Sequence, residues 1–431
     1  MLAVARFGLD DGSWQRYTVM LTGRPLRIAA GGDGVARALL AAIGAGRTIA
    51  ALAGERPGPV GAILVCRPAV ALADLVAGGR TGPAAAAGFA AGLPERALDA
   101  DQSNSSSVIG ESVLLKVYRR LETGLNPELE LVAYLTEEAR FAAVPPLAGF
   151  VEMVSAASGT STVAVAQAFV ADATDAFETI AESLTGWLLA PGEVTVEFAT
   201  EMAEDMGTLT AELHAALAAA TGVPDFEPRP ATRDELRAWA RAARVQLSRA
   251  IDVAPGEAGR LLHDLAPRIA AELTLFEALP SPPLLTRIHG DYHLGQVLVA
   301  RDGYRIVDFE GEPTRLLDER RAHQSPLRDV ASMLRSLDHV GRSAGRRAEA
   351  RNRGPLETPG LDLEGWLRRA RARFLAAYGA GLRRAGSPIV VDPALIRAFE
   401  IEKECYEFVY AATYLPSWLW APTEGMRSLF E

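Results

Sequence analysis

Strand-type patterning stops early in this chain and returns only once. Apolar alternation runs through Leu2–Phe7 and Gln15–Leu21, with Asp10-Asp11-Gly12 between them as a hairpin turn, and through Ala62–Cys66, Ser112–Tyr118 and Val163–Val170. Helical periodicity appears at Gly34–Ile43, and Asn126-Pro127-Glu128-Leu129-Glu130 opens a further helix, with Pro in the first turn and acids near its positive end. Beyond Asp172 the pattern is helical, near 176–190, 200–220, 232–251, 257–278, 327–339, 362–385 and 393–413. A single strand-loop-strand unit at 285–310 interrupts it. Strands first and helices later predict a bilobal α+β fold. The expected divisions are an N-terminal cap over 1–95, a small lobe over 96–171 and a helical lobe over 172–431, with Gly78–Pro94 as a junction.

With 431 residues, 49% of them hydrophobic and 23% charged, the chain suits a globular protein of two or three domains. A net charge of −10 argues against nucleic acid or an anionic membrane as partner. No apolar run nears the ~20 residues that span a bilayer, and no signal peptide is visible, so a cytoplasmic protein is expected, a monomer or weak homodimer. Cys66 and Cys405 are expected as buried thiols. The basic run Arg342–Arg353 is expected to form a solvated loop.

The interrupting unit carries the chemistry. It reads His289-Gly290-Asp291-Tyr292-His293-Leu294-Gly295-Gln296 and then Asp308-Phe309-Glu310-Gly311-Glu312-Pro313. Protein kinases place a base, an amide and a metal-binding carboxylate at this spacing, as H-R-D-x-x-x-x-N followed by D-F-G. Here Asp291 suits the base that accepts a hydroxyl proton. Gln296 and Asp308 supply oxygen ligands suited to magnesium bridging ATP phosphates. Glu310 is a candidate for the metal or a substrate group. His289 is expected to brace the loop and His293 to touch substrate or backbone.

Lys116, on Leu114-Leu115-Lys116-Val117, is the candidate phosphate ligand, fixed by an acid of the next helix, Glu130 or alternatively Glu128. The run Ser103-Asn104-Ser105-Ser106-Ser107 is expected as a turn between strands that closes over the phosphates, although no Walker A pattern exists. Gln167, Phe169 and Val170 fall where a hinge strand would offer backbone groups to adenine. His214, in an Ala-rich helix, is expected to pack.

In the last predicted helix Glu400, Lys403, Glu404 and Glu407 share a face, with Tyr406 and Tyr410 beside it and Trp418 and Trp420 after it. Acids that accept from hydroxyls and aromatic faces that pack on C–H surfaces suit a sugar. An ion-paired outer face over an aromatic core face fits the same pattern.

With these segments in view the chain resembles the actinobacterial maltokinase group of the aminoglycoside-phosphotransferase-like kinases. The likeness rests on the two loops above, on Ser325-Pro326-Leu327-Arg328-Asp329-Val330 and on the tail from Glu400 to Pro422. It implies a protein-kinase-like fold of the aminoglycoside phosphotransferase type with an N-terminal cap subdomain, ATP and magnesium as cofactors, and a sugar hydroxyl as acceptor. It implies Asp291 as base, Gln296 and Asp308 on magnesium, and Lys116 on phosphate. The tail departs from the group. Where maltokinase-like tails tend to read Tyr-Glu-Ala-Arg…Arg-Pro-Asp-Trp, this chain has Tyr410-Ala411-Ala412-Thr413-Tyr414-Leu415-Pro416-Ser417-Trp418, with Glu404 and Trp420 added. A smaller, more acidic pocket looks like the branch that phosphorylates glucosamine, because a buried carboxylate pair needs a cation. The expected substrate contacts are Asp291, His293, Glu310, Lys403, Glu404, Glu407 and Trp420, with the 6-hydroxyl as acceptor. Phosphorylation of maltose or of another amino sugar such as an aminoglycoside is the alternative, and a kinase-like chain that binds without turnover is a third.

Overall fold

A computed structural model describes residues 1–8, 14–50, 62–77, 92–98, 104–352 and 362–431. Ser103, the turn at 10–12, Arg353 and most of the 78–94 junction lie outside them. The chain forms two compact units, Met1–Ala173 with Ala300–Arg320, and Thr174–Val299 with Arg321–Glu431.

The first unit is built on antiparallel sheets. Strands Leu2–Gly8 and Trp14–Thr22 pair as the expected hairpin, with Leu2 opposite Met20 and Gly8 opposite Trp14. The larger sheet runs in the order Thr48–Ala50, Ile63–Pro68, Leu147–Ser155, Gly159–Ala168, Val113–Tyr118, Asn104–Ile109, Glu95–Leu98. Strands from before residue 95 and after it hydrogen bond in one sheet, so the sheet crosses the expected division. Helix Val35–Gly44 buries Leu39, Leu40 and Ile43 in the same apolar cluster as Cys66, Val113, Leu115, Val151 and Val163. Gly149 makes the close approach possible: a Cβ there would overlap Ile43 and the Arg67 carbonyl, and its φ of 155° suits glycine.

From Asn104 onward the Ser/Asn run is not a loop. Asn104–Ile109 is a strand paired on one side with Val113–Tyr118 and on the other with Glu95–Leu98. The turn falls later, at Gly110 and Glu111, both with positive φ. Serine favours turns locally, but two sheet neighbours satisfy this backbone better than a turn could.

The second unit is helical. Its main helices are Ala176–Leu189, Glu197–Leu217, Arg233–Val253, Gly256–Leu273, Leu327–Asn352, Leu363–Arg384, Pro393–Tyr414 and Trp420–Phe430. Gly207 lets Glu197–Leu217 pack against Leu363–Arg384, because any Cβ would run into the Phe374 carbonyl. His214 is buried in that seam, with Nδ1 2.9 Å from the Tyr378 hydroxyl.

As far as Asn352 the basic run is not a loop either. Residues up to Asn352 continue helix Leu327–Asn352, where Arg342 bonds Asp338 at 2.9 Å, Arg347 bonds Glu178 at 2.9 Å and Arg351 bonds Glu182 at 2.7 Å. One acid a helical turn away and two distant in sequence convert a like-charged run into a paired helical face. Cys66 and Cys405 are buried and free. Among the described residues no helix is long and apolar enough to cross a membrane.

Candidate active site

In the first unit, strand Val113–Tyr118 carries Lys116, whose ammonium meets three carboxylates: Glu310 at 2.5 Å, Asp308 at 2.6 Å and Glu128 at 3.1 Å. The acid that the next helix places on Lys116 is therefore Glu128 rather than the expected Glu130. Helix Pro127–Ala133 starts as expected, with Pro127 in its first turn and Asn126 capping the Glu128 N–H at 2.8 Å. That cap fixes Glu128, at the second helical position, beside Lys116.

Burial would lower the Lys116 pKa, but the three carboxylates outweigh it and raise it well above the ordinary value. The acids bear the opposite strain. Burial raises Glu128 to about 7, against the pull of Lys116, and burial likewise raises Glu310. Asp308 sits in a left-handed conformation, φ 64°, as strand Gly303–Ile306 ends, and that turns its side chain to Lys116. Glu310 accepts from Asn104 Nδ2 at 2.8 Å, so Asn104 holds an acid here, while Ser105 accepts from Arg119 at 3.1 Å. Ser106 is buried directly across the ladder from Lys116. Gln167 is buried near the end of strand Gly159–Ala168; the Phe169 N–H donates to the Ser112 carbonyl at 2.8 Å, and Val170 follows it.

In the second unit a buried carboxylate organises the catalytic-type loop. Asp329 accepts from the N–H groups of His289, at 2.8 Å, and Gly290, at 3.0 Å. Gly290 has φ 85°, a turn that presents Asp291. His289 braces the loop, its Nδ1 3.4 Å from the Asp291 N–H. His293 caps the following short turn, accepting from Gly295 N–H at 3.1 Å, and lies 3.4 Å from the Gln296 amide.

A cavity of about 330 Å³ opens beside this loop. Its walls are His293 and Gly295 from the loop, Asp175 and Phe177 from the start of Ala176–Leu189, Ser332, Arg335, Ser336 and His339 from one face of Leu327–Asn352, Lys403 and Glu407 from Pro393–Tyr414, and Trp418. Lys403 Nζ stands 3.2 Å from Asp291 and 3.4 Å from Glu407, joining the cavity to the candidate base. Burial pushes Glu407 above the usual carboxylate range, with Lys403 and His339 pulling it back.

Three expected substrate contacts move. Glu404 is fully buried behind the wall, bonded by Arg335 at 3.1 Å and 3.3 Å from His339. Trp420 packs edge-on against Trp418, centroids 5.0 Å apart, beneath the Arg346 guanidinium. The aromatic wall is Trp418, because a 3-10 turn at Pro416–Trp418 breaks the helical phase. Glu310, expected near substrate, is placed on Lys116. Arg335, His339, Ser332, Ser336, Asp175 and Phe177 were missed; the 332, 335, 336, 339 spacing is a polar helix face that could have revealed four of them.

The sheet-based unit with its buried lysine, the helical unit with its Asp-bearing loop, and the match of residues 95–386 to the "Phosphotransferase enzyme family" model agree: the chain belongs to that family. Its relatives are specific. It is 33% identical over 346 residues to a glucosamine kinase of Streptacidiphilus jiangxiensis, covering 78% of this chain and 73% of that one. It is 29% identical to a glucosamine kinase of Mycolicibacterium smegmatis, covering 78% and 80%. Among solved structures, a glucosamine kinase in complex with glucosamine, ADP and inorganic phosphate matches with TM-score 0.73 and 29% identity, over 100% of this chain and 91% of that one.

Proposed function

We propose that the chain phosphorylates glucosamine with ATP, giving glucosamine 6-phosphate. The observation that carries this is the 33% identity to a glucosamine kinase over most of both chains. The site chemistry supports it. Lys116 is the cation for the nucleotide phosphates. Asp291 is the base facing the attacked hydroxyl, and the 6-hydroxyl, primary and least hindered, is the acceptor. Gln167, Phe169 and Val170 are the proposed adenine contacts. Trp418 offers a ring face to the sugar, and Glu407 offers a carboxylate to its ammonium.

The donor set suits magnesium. Carboxylate oxygens of Glu128, Asp308 and Glu310 lie within 4.8 Å of one another, all hard ligands. By residue type and spacing Asp308 and Gln296 are the proposed ligands, with Glu310 beside Asp308 as a further candidate. A bound magnesium would neutralise charge on the nucleotide phosphates. The protein's own part is to hold the phosphates at Lys116, orient the acceptor in the cavity and receive its proton at an Asp291 oxygen.

The test is ADP release with Mg-ATP and glucosamine, N-acetylglucosamine, glucose, maltose or an aminoglycoside. Glucosamine is expected to be turned over best, with glucosamine 6-phosphate identified by NMR. Turnover of maltose but not glucosamine would overturn the proposal.

A further inference from the structure

Three carboxylates compete for the Lys116 ammonium, and they differ in their freedom to leave it. The Asp308 side chain is 40% exposed and that of Glu310 20%, whereas that of Glu128 is 2% exposed. The Glu128 oxygen that meets Lys116 is Oε2, and the same oxygen accepts the Tyr118 hydroxyl at 2.5 Å. Tyr118 lies two residues after Lys116 on one strand, so both side chains project from the same face. Its ring centroid is 5.8 Å from Lys116 Nζ. Glu128 is thus held from two sides, by the Asn126 cap on its backbone and the Tyr118 hydroxyl on its carboxylate.

Resting on the kinase chemistry above, we propose that Tyr118 is a positioning residue for nucleotide binding. Its hydroxyl keeps Glu128 on Lys116 when Asp308 and Glu310 turn towards a divalent cation. The three acids are then sorted by role: two can be released to a metal, and one stays to aim the lysine. A lysine stripped of every partner would sweep its four-carbon stem through many rotamers, and the entropy of fixing it would weaken phosphate binding. A short hydrogen bond to a buried charged acceptor can supply that restraint, because such bonds are stronger than those between neutral groups.

Tyr118→Phe keeps the ring and removes the hydroxyl. The dissociation constant for Mg-ADP, measured by calorimetry on the full chain, is expected to rise about tenfold, the scale of one lost hydrogen bond to a charged group. The acceptor KM is expected to stay at its wild-type value, and any fall in melting temperature to be smaller than that of Tyr118→Leu. Tyr118→Leu removes the ring as well and serves as the control for packing. Wild-type Mg-ADP affinity in Tyr118→Phe with weakening only in Tyr118→Leu would overturn the proposal, since the ring alone would then matter. Equal losses in Mg-ADP affinity and acceptor KM in Tyr118→Phe, with a lowered melting temperature, would overturn it too. The calorimetric readout needs no acceptor. A chain whose Mg-ADP affinity depends on the Tyr118 hydroxyl but which leaves glucosamine untouched would sink the glucosamine reading and support this one.

Discussion

Lys116 and Arg335 are both buried cations facing several carboxylates, yet their surroundings are balanced differently. Arg335 bonds Glu400 and Glu404, each at 3.1 Å, and lies 3.7 Å from Asp338. Two of those acids have a second cation beside them, Arg371 on Glu400 at 2.6 Å and Arg342 on Asp338 at 2.9 Å, and His339, whose pKa the Glu404 carboxylate raises against the pull of burial, stands 3.3 Å from Glu404. Around Lys116 the further partners of Glu128 and Glu310 are neutral, Tyr118 and Asn104, with Arg320 adding a longer-range attraction to Glu310. The titration shifts follow. Asp338, despite its burial, is held below its usual value by Arg335 and Arg342, whereas burial leaves Glu128 and Glu310 raised. A network with matched charges sets the shape of a wall. A cluster with surplus acid has capacity for another cation.

The largest effect tests the loop that the matched network borders. Asp291→Asn is expected to lower kcat by about 10³- to 10⁴-fold, the upper range for a general base, while Mg-ADP affinity is retained. Near-normal turnover in a coupled ADP assay would remove Asp291 from that role. Next is the network itself. Arg335→Leu leaves Glu400 and Glu404 with less compensation in a buried setting, and a destabilisation of about 3–5 kcal/mol is expected, read from denaturant unfolding. A loss below ~1 kcal/mol would mean that the surrounding cations already suffice.

Glu407 is the cavity acid on which specificity depends in the proposed function. Its raised pKa means that it becomes ionised only above the usual carboxylate range, so kcat/KM for an ammonium-bearing acceptor is expected to fall as pH drops through that raised value. Glu407→Gln should erase this acid limb and reduce the preference for glucosamine over glucose by about tenfold, the scale of one hydrogen bond to a charged group. An unchanged pH profile in Glu407→Gln would assign the limb to another group.

Legibility in the sequence followed how local each feature was. The loops at 289–296 and 308–313 stand out because their polar residues are fixed by short spacings between apolar strand positions. Cap residues such as Asn126 and Asp175 act within three residues and leave a local signature. The Ser/Asn strand and the arginine face of Leu327–Asn352 were obscured because their partners lie elsewhere in the chain, on neighbouring strands and on Glu178 and Glu182. The choice between Glu128 and Glu130 depended on how one short helix is rotated, and composition does not contain that angle. Glu404 looked like a pocket acid because helical periodicity places it beside Glu407. Only packing showed Gly425 against its carboxylate, where any Cβ would overlap it.

The smaller of the two clusters' stability effects is expected at Lys116, and its pH dependence separates them. Lys116→Met removes the cation from a site whose acids can respond. Glu128 already titrates near 7, Glu310 is raised, and Asp308 is partly exposed. These acids can take up protons, so the loss near pH 6 is expected to be about 1 kcal/mol, well below that of Arg335→Leu. An acid whose pKa is raised by folding binds more protons in the folded state than in the unfolded chain. Stability is then greatest at low pH and declines as pH climbs through the raised values. Lys116→Met should therefore lose stability progressively from about pH 6 to 8 relative to wild type, while Arg335→Leu is expected to show a smaller slope, because Arg342 still holds Asp338 down. Equal pH slopes in the two variants, measured by urea unfolding at several pH values, would show that the clusters do not differ in the way their ion pairs indicate.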